Sequence, residues 1–428
     1  MFKHLVCLSF FLASPVTADQ ITADDYHPTD PKIVQLGQLL FYDKILSGNR
    51  NISCGTCHNH DLHGTDGLSL GIGEGGIGLG RARMAGFGDS RIRKRIPRNA
   101  PALWNLGHRD IDVLFHDGRL TPSDQYGVGF DSPAQEWLPE GLETILAAQA
   151  LFPMTAQFEM AGNPKENEIA GAVHDRIDAA WPIIAARVAA VPDYGPLFIE
   201  AFDGVETTQD ITIVEIGNAL GQFIGAEWRS YDSPYDLGTL GPAALRGSDL
   251  FFGKGNCASC HSGPLFTDQE FHSLALPPFG PGRTRKFDPM VRDVGRMGKS
   301  DRLEDAYKFR TPSLRNVALT GPYGHNGAYP YLEGIIQHHL DPESALAQWQ
   351  PQTARLPHVP WVEKIDFIVH QDTREMARVQ ASASIEPVAL DGQEVADIVA
   401  FLKGLTGVTA LERPLGKPTS VPSGLSVD

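Results

Sequence analysis

Five residues in a row, Cys54-Gly55-Thr56-Cys57-His58, recur in kind as Cys257-Ala258-Ser259-Cys260-His261. Two thiols one turn apart can form thioethers to porphyrin vinyl groups while the imidazole beside them reaches the iron, so Cys-x-x-Cys-His marks c-type haem attachment. Two other readings were weighed. A four-cysteine zinc site places its cysteine pairs roughly 15–20 residues apart, far closer than positions 57 and 257. A redox Cys-x-x-Cys requires neither the following histidine nor a duplicate. The spacing therefore predicts two covalently bound haem c groups, with Cys54, Cys57, Cys257 and Cys260 as attachment points and His58 and His261 as iron ligands.

The elements that must present these motifs are legible around them. Ile33, Leu36, Leu39 and Leu40 recur at helical spacing, predicting a helix over 31–42 ahead of the first motif, and a second over 243–252 leads into the other. Thr212-x-x-Glu215 is a capping box before Ile213, Ile216, Leu220, Phe223 and Ile224, and Asp391 with Glu394 opens a last helix to Leu405. An alanine-rich helical pattern over 169–191 is expected to break at Pro182. Strand-like alternation is scarce, so the expected fold is mainly α: two cytochrome c-like helical domains, each with one haem, an internal duplication in outline. Pro and Gly punctuate 230–242, which sets the boundary near 240. The expected domains are 19–240 and 241–407, followed by a loose surface tail at 408–428.

Composition narrows the setting. The chain has 428 residues, 42% hydrophobic, with a formal charge of −16. Lys3 and His4, an apolar run from Leu5 to Leu12, and the small-residue Val16-Thr17-Ala18 read as a secretory signal peptide over 1–18, which predicts a periplasmic protein. Cys7 leaves with it. No later apolar run reaches membrane-spanning length. The acidic surface argues against nucleic acid and permits a basic redox partner. Gly71-x-Gly73-x-x-Gly76 mimics a dinucleotide fingerprint, but no strand precedes it and no βαβ unit surrounds it, so it is expected to be a loop near the first haem. The run Arg91-Ile92-Arg93-Lys94-Arg95 is read as a solvated strip, with propionate binding as the alternative.

Several further motifs agree in order with one family. The two haem motifs, Arg98-Asn99-Ala100-Pro101, Asp117-Gly118-Arg119 and Phe309-Arg310-Thr311-Pro312-Ser313-Leu314-Arg315-Asn316-Val317 together resemble the bacterial dihaem cytochrome c peroxidase / MauG family over about residues 31–407. The resemblance implies that the first haem is the peroxide site and the second receives electrons. It also implies catalytic roles for Gln149, Pro153 and Glu159, which reproduce the family's distal spacing. Glu159 would carry the proton that peroxide cleavage requires, Gln149 would position the peroxide, and Pro153 would keep the pocket tight. A calcium ion is implied at Asn99, with carbonyls around Arg310 to Pro312.

Three departures set this chain apart. Glu74 stands where the peroxidases carry a histidine that caps the first iron, so an open iron is expected; His60 and His63 are read as solvated loop residues, with either as the rival cap. His116 replaces the tryptophan that lies between the haems. His339 aligns with the distal ligand of the second haem, with Met290, Met297 and Met376 as rivals; histidine there would lower the potential relative to methionine. Residues 120–148 lengthen the path to Gln149 and are expected to border the distal pocket or a docking face. The leading expectation is an oxidoreductase reducing hydrogen peroxide with electrons from a small cytochrome c or cupredoxin. Oxidation of residues in a partner protein and a dihaem electron carrier are the alternatives, and a homodimer is compatible with each.

Overall fold

A computed structural model describes residues 20–88, 91–285, 287–413 and 415–428, so the expected signal peptide at 1–18 lies outside the described residues. Six helices carry the argument. Asp30 accepts bonds from the amides of Lys32 and Ile33, and Pro31 fills the first turn of α1, Pro31–Tyr42. A carboxylate there satisfies orphan amides, and proline's missing N–H costs nothing. Next come α2, Ile145–Ala150, and α3, Ile213–Glu227, behind the Thr212/Glu215 capping box. They are followed by α4, Pro242–Phe252, α5, Leu332–Leu340, and α6, Gly392–Lys403, opened by Asp391 and Glu394. Three two-residue antiparallel ladders complete a mainly helical fold: 76–77 with 84–85, 121–122 with 130–131, and 271–272 with 309–310.

The two halves repeat one helix crossing. A methyl group at Gly37 of α1 would sit 1.9 Å from the Ala219 carbonyl oxygen and 2.7 Å from Phe223 Cβ on α3. At Gly247 of α4 it would sit 1.9 Å from the Asp397 carbonyl and 2.9 Å from Phe401 Cβ on α6. Only glycine permits this approach of backbone to backbone. Each crossing anchors a core, one drawn mostly from residues 21–228 and one from residues 251–405. No helix among the described residues is long and apolar enough to cross a membrane.

Three expectations need correction. The basic strip is not simply solvated: Ile92 and Arg95 are buried and Arg91 stacks 4.1 Å over Trp361. Arg95 has no accessible surface; its guanidinium meets both Asp366 oxygens at 2.8–2.9 Å and the Pro357 carbonyl at 2.8 Å. Removing one partner of a buried pair strands the other, so Arg95→Met is expected to cost about 3–5 kcal/mol in chemical denaturation. A loss under about 1 kcal/mol, the value of an exposed pair, would contradict that reading.

The break expected at Pro182 falls at Arg176, between helices Glu168–Asp175 and Ala180–Ala189; Pro182 lies in the first turn of the latter, where no intrahelical N–H is required. Residues 120–148 are mostly loop and still contribute Leu120, Phe130, Ala134, Leu138 and Leu142 to the first core. The tail is docked rather than loose: Ala410 and Val421 are buried and Leu425 and Val427 pack against the first core, because apolar side chains isolated among Pro and Ser find surface to cover.

Candidate active site

Ser53 and Thr56 cap a single helical turn, Cys54–Cys57, and His58 closes it. His58 Nδ1 donates to the Gly64 carbonyl at 2.9 Å, which leaves the Nε2 lone pair for a metal. The second motif repeats the device: His261 Nδ1 donates to the Phe266 carbonyl at 3.0 Å. Cys54, Cys57, Cys257 and Cys260 form no disulfide. Burial pushes the Cys54 and Cys57 thiols up to about 12. Unpaired, protonated thiols one turn apart beside an oriented imidazole fit a haem at each motif.

A third imidazole shows the same arrangement. His339, near the end of α5, donates from Nδ1 to the Ile335 carbonyl at 2.7 Å, and its ring centre lies 6.4 Å from that of His261. With metal–nitrogen bonds of about 2 Å, imidazoles on opposite sides of one metal have ring centres roughly 6 Å apart. Burial, and then His339 itself, push His261 down to about 4, so the pair is neutral as ligands must be. Adjacent His338 has no free nitrogen: Nδ1 meets Tyr329 Oη at 2.7 Å and Nε2 the Leu274 carbonyl at 2.6 Å. Of the methionine rivals, Met290 is exposed, Met297 is buried at the start of the turn Met297–Ser300, and Met376 packs with Ala275, Tyr307, Leu346 and Val379.

The three residues expected over the first haem follow one another along a short path. Gln149 lies on α2, Pro153 opens a 3-10 turn over Pro153–Thr155, and Glu159 sits in a one-turn π-helix, Gln157–Ala161. Such turns are rare and concentrate at functional sites; nothing in the sequence signalled this one. Burial raises the Glu159 carboxyl above its ordinary range, while Arg119 and Arg283 pull it back. The Gly48 amide, in the stretch leading into the first motif, donates to the Met160 carbonyl of this turn at 2.8 Å.

The glycine-rich passage lies against the same turn. A methyl at Gly73 would sit 2.2 Å from the Phe158 carbonyl and 2.6 Å from that of Glu159, and the Glu74 amide donates to Phe158 at 3.2 Å. The glycines thus serve close backbone approach. Glu74 Oε1 accepts from Asn49 at 2.8 Å and Asn51 at 2.9 Å, which fixes its carboxylate. His60 and His63, expected as solvated loop residues, are half-buried; His60 Nε2 lies 3.7 Å from the buried Glu227.

His116 touches both halves. Its Nε2–H donates to the Asn99 carbonyl at 3.1 Å, and its own carbonyl accepts from the Arg310 amide at 2.8 Å. Burial and the nearby Arg98 push it down to about 4, leaving it neutral. Arg98 bridges Asp117 at 2.7 Å and Asp293 at 2.8 Å. His325, which sequence reasoning missed, stacks on Phe309 with ring centres 3.6 Å apart and gives its carbonyl to the Asn99 amide; the Gly324-x-x-Gly327 frame around it was the available signal.

Around Asn99, the side-chain nitrogen donates to the Leu68 carbonyl at 2.7 Å. The Thr311 carbonyl already accepts from Thr267 Oγ1 at 2.7 Å and Arg310 Nη1 at 3.2 Å. A calcium ion would therefore draw on Asn99 Oδ1 and the carbonyls of 310 and 312. Among the described residues, one cluster of histidine, cysteine and acidic ligand atoms lies within mutual reach: Cys260, Asp268 and His272. Its sulfur belongs to the second motif.

Residues 31–242 match the profile of the family described as di-haem cytochrome c peroxidase. The methylamine utilization protein MauG of Methylorubrum extorquens is 30% identical over 320 residues, covering 73% of this chain and 70% of that protein. The cytochrome c551 peroxidase of Nitrosomonas europaea is 26% identical over 315 residues, covering 72% and 73%. A solved MauG-like protein associated with microbial copper homeostasis superposes with a TM-score of 0.57 at 28% identity, over 95% of this chain and 98% of that one. The diheme peroxidase BthA of Burkholderia thailandensis shares the fold at 22% identity, with a TM-score of 0.57 over 94% and 91%.

Proposed function

The chain belongs to the di-haem cytochrome c peroxidase family, and from that premise we propose that it is a periplasmic enzyme that reduces hydrogen peroxide to water. Cys54, Cys57 and His58 would hold the first haem in residues 19–240, which would supply the iron at which peroxide is reduced. Cys257, Cys260 and His261 would hold the second haem in residues 241–407, with His339 as a further imidazole able to ligate it, and a small cytochrome c or cupredoxin would be its electron donor. The observation that carries this reading is the π-helical turn that carries the half-buried Glu159 and packs against the glycine-rich passage that follows the first motif.

Haem supplies a Lewis-acidic iron and the electrons for breaking the O–O bond; the chain manages protons and access. Two electrons and two protons convert one peroxide into two waters. Glu159, ionised, takes the proton from one peroxide oxygen and returns it to the other, which leaves as water. Gln149 orients the peroxide by its amide, and Pro153 removes a backbone donor and limits the space. Glu74, bound to Asn49 and Asn51, cannot serve as the capping histidine does, so a haem held at the first motif would need no prior reduction to admit peroxide. Between the halves, neutral His116 offers a ring and a hydrogen bond to the Asn99 carbonyl. Calcium at Asn99 Oδ1 would stiffen that junction.

Steady consumption of peroxide with a reduced small cytochrome or cupredoxin tests the proposal, and the same assay after chelation and calcium readdition tests the ion. Turnover no faster than free haem would sink the first part, and chelator indifference the second. One observation favours the alternative of oxidising a partner protein: the histidine cap is replaced by Glu74, and MauG is among the relatives. Peroxide-dependent modification of a secreted partner, with negligible donor turnover, would select that alternative.

A further inference from the structure

The two attachment motifs differ in what covers them. Around the second, Lys254, Asn256, Ser259 and Ser262 are exposed. In the first, Gly55 and Thr56 are buried, Thr56 with no accessible surface. Part of its cover is the chain's own segment 408–428. Thr56 Oγ1 donates to the Asp428 carboxylate, whose other oxygen pairs with Lys44 Nζ at 2.6 Å; both side chains of that pair are largely buried. Ser423 Oγ donates to buried Asp43 at 2.6 Å, and Asp43 is held from the other side by Tyr194 Oη at 2.8 Å. Upstream, the amides of Leu415 and Gly416 donate to buried Glu227 at 3.0 and 3.1 Å, and Gln38 of α1 donates to the carbonyls of the same two residues.

Every one of these anchors belongs to an element that frames the first motif. Gln38 lies on α1, Asp43 is its C-cap, Thr56 stands between the two cysteines, and Glu227 ends α3. Such agreement is not what a tail resting wherever it finds apolar surface would produce.

We infer that segment 408–428 is an insulating strap: it closes the attachment side of the first haem and leaves that of the second as the side through which an outside donor delivers electrons. The inference rests on haem occupying both motifs as proposed above. Electron transfer weakens steeply with distance, so a packed layer of chain over one haem edge suppresses its direct reduction. An external donor then loses its one electron to the second haem, and the first is reduced from inside the protein. The strap thus fixes the order in which the haems fill without touching peroxide.

The test uses the full haem-loaded chain carrying Asp428→Asn, Ser423→Ala and Val421→Asp, which remove anchors and apolar hold while leaving Gln149, Pro153 and Glu159 intact. Hydrogen exchange over 408–428 reports whether the strap is released. Stopped-flow reduction by hexaammineruthenium(II), a small one-electron donor, is followed at the high-spin and low-spin absorptions separately. Release is expected to raise the direct reduction rate of the first haem by about tenfold or more, since opening a docked segment exposes what it covers, with the second haem unchanged. A released strap with an unchanged first-haem rate would overturn the inference, as would a strap that stays protected without its anchors. Failure of the underlying haem assignment would show differently, as missing haem mass and absorbance in the unmodified protein.

Discussion

Replacing Glu159 with glutamine is expected to slow peroxide turnover by about 10²–10⁴-fold, the usual worth of a positioned proton-transfer group, while haem content and the spectrum of the second haem stay as they were. The amide keeps the size of the side chain but cannot take the proton. Burial raises the Glu159 carboxyl, and Arg119 and Arg283 limit the rise. As a base it works only when ionised, so the rate should climb with pH through that raised value, placing the acid limb above the ordinary 4.5 of glutamate. Glu159→Gln should lose both the rate and this limb. A variant as fast as the parent, or one that retains the limb, would remove Glu159 from the role.

The second large effect is expected at the other iron. His339→Met should raise the potential of the second haem by on the order of a few hundred millivolts, within the roughly 0.8 V that axial ligation spans, because thioether favours the reduced iron more than imidazole does. His339→Ala should instead turn its low-spin spectrum high-spin. Both follow from the 6.4 Å separation of the His261 and His339 rings and the Ile335 carbonyl that orients His339. Redox titration and electronic spectra measure them. An unchanged potential and an unchanged low-spin spectrum in both variants would mean that another residue closes the second iron.

What could be read from the residues alone was what chemistry forces to be adjacent. Thioether attachment demands two cysteines and a histidine in five positions, so both motifs are visible without any fold. Helix starts were legible for a similar reason at two places: the Thr212/Glu215 pair and the Asp391/Glu394 pair satisfy amides within three residues of themselves. His339 could be placed only by aligning a segment, because its partner imidazole lies far back at 261. Features whose cause is distant stayed hidden. Arg95 reads as one more surface arginine until Asp366 arrives from the other half to bury it. Val421, Leu425 and Val427 carry no helical or strand period, and the surface that docks them exists only once α1 and the first motif have assembled. The π-helical turn under Glu159 has no composition signal; Gly73, the glycine that makes room for it, was legible as part of a loop near the first haem but not as a contact to this turn, which lies some eighty residues on.

The most direct test of an open first haem beside a closed second one is the electron paramagnetic resonance spectrum of the fully oxidised protein, before and after one equivalent of hydrogen peroxide. The expected result is one high-spin and one low-spin ferric signal, with only the high-spin signal consumed by peroxide and no prior reduction needed. Two low-spin signals that ignore peroxide, even after the addition of one electron, would contradict it.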